Sequence, residues 1–390
     1  MKQTNDFLIP DYFPEFHCKI GNCRTACCQG WPVSVSMENY FTLLGIDCPP
    51  DLRSRLDVGL RMADHPTPEE YARFNPRWNG DCPMRYEDGR CALHAELGED
   101  ILPEVCRLYP RGIRHSTAEH ELPECSCANS CEATLELFLH RTEPIRFITR
   151  RLTLDMPPAA KRTSFFPSMN REQEIRLFFI RILQDRSLPL YQRIAQLCGC
   201  VEDMDTALNA GDADAVQSLL DGNLPLYPIP EQLPFAFALN VAESMVDLLD
   251  HRSSSIHDLG EAALAAFGNG DEAQSRYDAA KAHFENAFPQ WEIFFEHILV
   301  NHLFFDRFPF QDRPVTLTEE CIALCAVYTL MRFLCLGCLA SQQPEDDTLV
   351  DTMAAAFRLI QHSDFDRTAA RMLKNLHCTS PAQLHALISL

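Results

Sequence analysis

Cysteine is concentrated in the first third of the chain, at spacings short enough for several sulfurs to reach one point. Thiolate sulfur is the ligand that zinc ions and iron–sulfur clusters use in proteins, so the pattern predicts metal chemistry. Eleven cysteines fall within 114 residues: Cys18, Cys23, Cys27, Cys28, Cys48, Cys82, Cys91, Cys106, Cys125, Cys127 and Cys131.

Disulfides, zinc and an iron–sulfur cluster are the three explanations for this density. The adjacent residues Cys27 and Cys28 are awkward in most disulfide frameworks. Zinc sites favour tight C-x2-C pairs, and none occurs in this third. Gaps of four, three, eight and fourteen residues suit a cubane cluster better, since its irons are reached from several loops. The spacing favours the cluster and leaves zinc as the alternative.

The N-terminal segment bears on the redox state of these thiols. MKQTNDFLIPDYFPEF contains no long apolar run and no small-residue cleavage site, so we expect no signal peptide and a cytoplasmic protein. Cytoplasmic reductants keep thiols open, which again favours metal binding over disulfides.

Composition narrows the class of protein and its partners. With 390 residues and 46% hydrophobic residues, the chain is expected to be globular with two domains. A net charge of -21 argues against a nucleic-acid partner. The apolar stretch from Cys321 to Ala340 contains Arg332, which favours a buried core helix over a membrane span. We therefore expect neither nucleic acid nor membrane among the partners.

Local signals indicate how the cysteines are positioned. Pro10 and Pro14 favour an extended arm at the start of the chain. The Asp88-Gly89 turn brings Cys82 and Cys91 onto two arms of a hairpin-like loop. A short helix over 92–105 leads to Cys106, and a helix that begins early before Leu135 would place Cys127 and Cys131 on one face.

The remainder of the chain is predicted to be helical, giving a mainly α fold. An irregular cysteine-rich metal-binding domain, 1–153, precedes an all-helical domain, 166–390, with a Pro-rich linker over 154–167. Asn170 and Gln173 resemble a capping box, and Cys198-Gly199-Cys200 is read as a helix end. The Gly268-Asn269-Gly270 sequence is read as a helix C-cap, not as a dinucleotide fingerprint. Further helices are predicted at about 189–199, 203–221, 255–267, 271–306, 317–342, 347–362 and 364–377.

The order of these motifs resembles a known family. Residues 18–31 read C-x4-C-x3-C-C-x-G-W, followed by D-C-P at 81–83, C-x2-H-x2-L-G at 91–98 and C-x2-Y-P-R at 106–111. This order is similar to that of the flagellin lysine-N-methylase family, within a wider group of cysteine-cluster proteins described as zinc- or iron-chelating. A weaker similarity covers 295–302 and 308–310.

The resemblance implies methyl transfer from S-adenosyl-L-methionine to lysines of flagellin or a similar surface protein, in a chain that carries a [4Fe-4S] cluster. It assigns no catalytic residue and no S-adenosylmethionine site. Eight cysteines match the family pattern: Cys18, Cys23, Cys27, Cys28, Cys82, Cys91, Cys106 and Cys127. Eight possible ligands exceed the four that one cubane needs. Cys125 and Cys131 depart from the pattern.

The implied chemistry has its own requirements. A lysine amine must be neutral to accept a methyl group, so a general base or a desolvating pocket is required. Arg107, Arg111 and Arg114 are candidates to balance the cluster's negative charge. An equally good explanation is that they form a basic turn exposed to solvent. The spacing typical of radical enzymes, C-x3-C-x2-C, is absent, which favours a structural or cofactor-positioning cluster.

Two other classes of function remain open. One is a zinc- or iron-binding interaction module without enzyme activity. The other is an electron-transfer iron–sulfur protein, although electron transfer does not require so large a second domain.

Overall fold

The computed structural model describes most of the chain, including every cysteine. The described residues run from 2 to 390 apart from 25–26, 31, 117, 119, 158–165, 167–169, 226, 229, 250–253, 269, 271, 311–315 and 341–343, and without the side chains of 2, 254 and 255. Most of the predicted linker, 154–167, therefore lies outside the described residues.

Seven strands occur in the described residues. They are β1 (Lys2–Pro10), β2 (Val33–Val35), β3 (Leu60–Met62), β4 (Ala72–Phe74), β5 (Arg111–Arg114), β6 (Glu124–Cys127) and β7 (Phe147–Asp155).

Sixteen α-helices occur in the described residues, which agrees with the predicted mainly α fold. They are α1 (Met37–Gly45), α2 (Pro50–Gly59), α3 (Ala92–Leu97), α4 (Glu104–Leu108), α5 (Glu132–Leu139), α6 (Glu172–Leu183), α7 (Leu190–Ala210), α8 (Ala213–Leu220), α9 (Phe235–Val246), α10 (Ser254–Phe267), α11 (Ala273–Ala287), α12 (Trp291–Phe305), α13 (Leu317–Leu339), α14 (Asp346–His362), α15 (Phe365–Asn375) and α16 (Pro381–Ile388).

The strands form two small sheets. The larger sheet has the order β5-β6-β1-β7, in which β1 runs antiparallel to β7 from the pair Lys2–Asp155 to the pair Pro10–Phe147. β1 also pairs in parallel with β6, with Leu8 opposite Glu124. The smaller sheet has the order β2-β4-β3, and both of its pairings are antiparallel.

The chain divides into two compact units that do not coincide with the predicted domains 1–153 and 166–390. The larger unit consists of Met1–Pro14, Ile113–Ser130 and Thr134–Leu390, and the smaller unit consists of Glu15–Gly112 and Cys131–Ala133. Pairing of β1 with β7 places the start of the chain in the helical unit. Because it contains these paired strands, the larger unit is not all-helical as predicted. The smaller unit contains short strands and helices as well as loops.

Helix α13 is the central element of the larger unit. It is the one helix among those described with the length and apolar content of a membrane span, and its apolar window is 100% buried inside the unit. The Arg332 side chain, 1% exposed, donates to Glu285 at 3.3 Å and to the carbonyl of Leu390 at 3.2 Å. Its guanidinium also lies 3.9 Å from the ring centroid of Trp291. The interpretation of 321–340 as a core helix agrees with this burial.

Several local predictions differ from the structure. Asn170 does not cap α6: the N-cap is Arg171, and the Gln173 side chain donates instead to Glu124 at 2.7 Å. Cys198-Gly199-Cys200 lies inside α7, where Gly199 leaves room for the Tyr227 ring, whose Cδ1 would lie 2.4 Å from an added Cβ. The predicted helix over 271–306 is two helices, because Pro289 lies between α11 and α12. Gly268 follows α10 at φ +63°, as a C-cap requires.

Close packing of α13 against α10 yields a stability prediction. A Cβ at Gly337 would lie 2.2 Å from the Cβ of Ala263, so Gly337→Ala forces two helices apart. Overpacking of a core costs about 1–3 kcal/mol, and we expect the free energy of unfolding to fall by that amount in urea titrations followed by circular dichroism.

Gly45→Ala is the control for this prediction, because an added Cβ there meets nothing within 4 Å and the position is helical. Its free energy of unfolding should stay the same or rise slightly. An unchanged stability of the Gly337→Ala protein would contradict the described contact between α10 and α13.

Candidate metal centre and buried polar groups

Two glycines let the first cysteine loop of the smaller unit lie directly on the turn before Cys91. Gly21 has φ +98° and Gly89 has φ +89°, conformations that favour glycine. A Cβ at Gly89 would lie 2.4 Å from the carbonyl oxygen of Gly21, and a Cβ at Gly21 would lie 2.7 Å from the Cα of Arg90. The loop that carries Cys18 and Cys23 is thereby held against the 86–90 turn.

The predicted hairpin-like loop between Cys82 and Cys91 is present. The Tyr86 N–H donates to the carbonyl of Arg90 at 2.8 Å, and Arg85 pairs with Cys91 in an isolated antiparallel bridge. The Cys82 N–H donates to the carbonyl of Cys28 at 2.8 Å, which joins the first cysteine group to the second. The turn that the Asp88-Gly89 pair predicts is therefore confirmed.

Five cysteines of the smaller unit lie at its apolar core. Cys82 is 5% exposed and belongs to a buried cluster with Val35, Phe74, Met84 and Leu93. The residues that are partly buried against this cluster include Cys28, Cys91, Cys106 and the isolated Cys48.

The electrostatics of these thiols show that they lie within range of one another. Burial raises the pKa of Cys106, and negative charge on Cys91, Cys82 or Cys28 raises it further. Burial likewise raises the pKa of Cys82 to about 12. A hydrogen bond from the Cys27 thiol lowers the pKa of Cys28 to about 7, and Arg85 lowers it as well. Cys28 is thus the thiol of this group that ionises most readily.

A second group of cysteines lies around Glu132. The Glu132 carboxylate, 1% exposed, accepts from Lys19 Nζ at 2.5 Å and lies 3.6 Å from Arg24 Nη1. These contacts bring the 18–24 segment to Cys131, which directly precedes Glu132. Burial raises the pKa of Cys23 to about 11, and the charges of Glu132, Cys131 and Cys18 contribute in the same direction.

Cys27 is influenced by both groups of thiols. Its hydrogen bond to Cys28 raises the pKa of its thiol well above the ordinary value, and burial acts in the same direction. The charges of Cys106 and Cys131 also raise it. Cys27 therefore lies within electrostatic range of a thiol from each group.

Cys127 lies in strand β6 of the larger unit. The residue is fully buried, its N–H donates to the Tyr12 hydroxyl at 3.2 Å, and its carbonyl accepts from Asn301 Nδ2 at 2.7 Å. The prediction that Cys127 and Cys131 share a helix face is wrong, because α5 begins only at Glu132. The assignment of Cys127 as a metal ligand stays a prediction.

The thiols of the smaller unit suit a thiophilic metal by donor chemistry and by number. No cysteine in the described residues, which include all 18, forms a disulfide. Within the same described residues, no three His, Cys, Asp or Glu side chains stand in a finished metal-binding geometry.

Two of the three arginines proposed to balance a cluster contact aromatic groups instead. The Arg111 guanidinium lies 5.4 Å from the ring centroid of Phe16. Arg114 donates to the carbonyl of Phe305 at 2.9 Å. The cations that act on these thiols include Arg85, which acts to lower the pKa of Cys28, Arg77, which acts to lower that of Cys82, and Lys19, which acts to lower that of Cys23. Arg77 and Arg85 lie close to Cys82 in the sequence, and this proximity could have identified them as the cations beside the thiols.

Polar groups in the 295–302 segment belong to the core of the larger unit. The Asn301 side chain accepts from the Tyr12 hydroxyl at 2.5 Å and donates to Asn129 Oδ1 at 2.7 Å. His302 Nδ1 lies 2.7 Å from Asp306 Oδ2. Tyr277 is 3% exposed. Asn301, His302 and Tyr277 are therefore buried groups of this unit.

An open groove of about 480 Å³ lies beside α6 and the end of α8 in the larger unit. Its lining combines an aromatic ring, a cation and two carboxylates. The lining residues are Phe178, Arg181, Ile182, Asp185, Gln196, Leu220, Asp221, Gly222 and Leu224. Asp185 accepts from the Ser187 hydroxyl at 2.7 Å, and this hydrogen bond lowers the pKa of Asp185.

Comparisons with known proteins give a consistent result. A family model described as the FliB lysine N-methylase C-terminal domain matches residues 176–387. Lysine-N-methylases of Salmonella choleraesuis and Salmonella typhimurium are 24% identical over 121 residues, 29% of this chain and 27% of each relative. Flagellar biosynthetic protein FliU of Salmonella muenchen is 23% identical over 121 residues, 65% of its length. The match thus spans about a quarter of the two lysine-N-methylases. No solved structure matches.

The His302–Asp306 pair predicts a pH-dependent stability. Burial alone lowers the pKa of His302, but Asp306, Asp366 and Glu320 raise it above its ordinary value on balance. A raised folded-state pKa gives stability that is complete below the unfolded pKa of about 6.5 and is lost as the pH rises through the folded pKa. We expect His302→Gln to lower the free energy of unfolding by about 3 kcal/mol at pH 6, and by less at pH 9.

The measurement is urea unfolding at a series of pH values. His257→Gln is the control, since it breaks a pair with Glu261 at 3.8 Å whose carboxylate is exposed, and its effect should stay within about 0.5 kcal/mol. Equal losses at pH 6 and pH 9 for His302→Gln would show that the pair contributes packing and no charge interaction.

Proposed function

We propose that this chain, which belongs to the FliB lysine N-methylase family, is a methyltransferase. It transfers methyl groups to the side-chain amines of lysines in a protein substrate. The observation that carries this proposal is the match of the family model to residues 176–387, more than half of the chain. The cysteine motifs of 18–111, which resemble the same family, support it independently.

We propose flagellin, or a similar surface protein, as the substrate. One relative is named as a flagellar biosynthetic protein, which supports this choice. The net charge of -21 is also suitable, because a negative protein surface attracts lysine-bearing segments at long range.

S-adenosyl-L-methionine is the proposed methyl donor, and the transfer sets requirements that the α6 groove can meet. The amine must lose its proton before it attacks the methyl carbon, and a carboxylate can hold the ammonium group in place while the proton passes to water. Asp185 and Asp221 are two carboxylates in the lining of the groove, and the hydrogen bond from Ser187 that lowers the pKa of Asp185 keeps this carboxylate ionised.

The thiols of the smaller unit are the proposed ligands of an iron–sulfur cluster. When bound, the cluster supplies covalent links between the loops around Cys28, Cys82, Cys91 and Cys106, which the protein itself connects only through hydrogen bonds and apolar contacts. Arg77 and Arg85 supply positive charge beside these thiols. The proposed role is structural.

Methyl transfer can be tested directly. Anaerobically purified protein, incubated with flagellin and S-adenosyl-L-methionine, should add methyl groups to lysines that peptide mass spectrometry locates. Asp185→Asn and Asp221→Asn each remove a carboxylate that would hold the lysine ammonium group, and misplacement of a reacting group costs about 100-fold in rate.

Glu202→Gln, an exposed carboxylate on α7, is the matched control and should retain the wild-type rate. Absence of methylation by cluster-loaded protein that also fails to bind S-adenosyl-L-methionine would favour the non-enzymatic interaction module. Full activity of both aspartate variants would leave the activity in place and exclude the groove as the site that holds the lysine.

The cluster has a separate test in visible absorbance. Protein purified without oxygen should be brown with broad visible absorbance, and Cys82→Ser should lose most of that absorbance because it removes a thiol at the apolar core. Cys48→Ser, which replaces a partly buried thiol against the same core, should keep the colour. A colourless wild-type protein with stoichiometric zinc would contradict the proposed cluster.

A further inference from the structure

Helix α1 of the smaller unit carries exposed apolar side chains on one side. Met37, Phe41 and Leu44 are 42%, 56% and 47% exposed, and spacings of four and three residues place them on one helix face. Leu43, 1% exposed, packs into the core of the unit from another side of α1. A contiguous exposed apolar patch marks an interaction site, whereas scattered apolar residues need no explanation. Met37, Phe41 and Leu44 together form the α1 face.

Two tyrosine rings support the α1 face. The Phe41 ring centroid lies 5.4 Å from that of Tyr40 and 5.8 Å from that of Tyr71. The two tyrosine rings lie 5.2 Å apart, so the three rings pack against one another. Aromatic residues and methionine are enriched at the centres of protein interfaces, and aromatic rings also attract ammonium groups. The composition of this surface suits a partner with apolar side chains and lysines.

Backbone contacts fix both ends of α1. The Met37 N–H donates to the carbonyl of Pro68 at 2.9 Å, and Arg53 Nη1 donates to the carbonyl of Leu44 at 3.1 Å. The Ser36 hydroxyl accepts from the backbone N–H of Asn39 and caps the helix. A surface that is fixed before binding loses little conformational entropy when a partner docks.

The charges around the α1 face favour a cationic partner. Glu38 on α1 and Glu69, next to Pro68, are exposed carboxylates. Two arginines also lie nearby, but Arg53 and Arg73 each form an ion pair with a carboxylate of the same unit, at 3.0 and 2.9 Å. The net charge of -21 adds a long-range attraction for lysine-bearing segments.

We propose that the α1 face docks an amphipathic segment of the protein substrate, in which apolar side chains contact Phe41 and its neighbours and lysines face the carboxylates. This rests on the proposed function, since it presupposes a protein substrate. Docking at a distance from the reacting lysine stabilises the bound substrate and the transition state equally. It therefore lowers the KM for the protein substrate and leaves kcat unchanged.

A second copy of this chain is a poorer occupant than the substrate. Two chains that each carry a net charge of -21 repel one another. Three half-exposed side chains offer roughly 300 Å² of apolar surface, whereas a stable interface buries about 800 Å² on each partner. So small a surface suits weak binding, and a substrate that must leave after each reaction requires weak binding.

The test is the steady-state kinetics of flagellin methylation by the full-length, cluster-loaded protein. Phe41→Ser removes an exposed ring, so the circular dichroism spectrum should not change. Its KM for flagellin should rise about tenfold, because truncation of an interface anchor costs that much or more. Its kcat and its KM for S-adenosyl-L-methionine should stay at the wild-type values. Trp78→Ser is the control, since Trp78 is 99% exposed, lies in the same unit and is not part of the α1 face.

Charge reversal tests the partner's chemistry. Glu69→Lys should also raise the KM for flagellin, and the increase should shrink as salt is added, because the carboxylate is exposed. An effect of Phe41→Ser without an effect of Glu69→Lys at low salt would overturn the assignment of a lysine-bearing partner.

The other outcomes separate this inference from the proposed function. An unchanged KM for flagellin in Phe41→Ser, or a loss confined to kcat, would overturn the docking role and leave the methylase activity in place. A wild-type dimer in sedimentation velocity that Phe41→Ser converts to a monomer would assign the face to a second copy. Should the wild-type protein not methylate flagellin, the proposed function fails, and calorimetric titration with flagellin then tests docking alone. Loss of that binding in Phe41→Ser would support the α1 face, whereas equal binding or none to either protein would overturn it.

Discussion

The backbone contact between Gly21 and Gly89 is the constraint on which the cysteine arrangement depends. An added Cβ at Gly89 would lie 2.4 Å from the carbonyl of Gly21, so side chains at these positions would separate the first cysteine loop from the hairpin-like turn. The loop that carries Cys18 and Cys23 can touch the 86–90 turn because no side chains lie between them. Glu132 then adds Cys131 through Lys19 and Arg24.

Much of the local structure could be predicted from the sequence, because its causes are local. The Asp88-Gly89 turn and the core position of α13 follow from residue types over a few positions. Two missed features also had local signals: Pro289 separates α11 from α12, and Ser380, Pro381 and Gln383 mark the start of α16. Both signals are local, so the sequence contains the information for these two features.

Long-range contacts account for what the sequence could not provide. The domain bounds differ because β1 pairs with β7, a strand about 145 positions away, and no local pattern specifies that partner. The grouping of Cys131 depends on the ion pair between Lys19 and Glu132, which are 113 positions apart. Gly199 is explained by Tyr227, which packs against the middle of α7. Spacing identified the candidate thiols, but only tertiary contacts divide them into groups.

The protonation of the thiols links metal uptake to pH in the smaller unit. Burial raises the pKa of Cys23, Cys82 and Cys106, so these thiols are protonated at neutral pH without metal. A metal ligates thiolates, and uptake must therefore release protons and strengthen as the pH rises. Cys28, with its pKa lowered to about 7, carries a substantial thiolate fraction before any metal arrives.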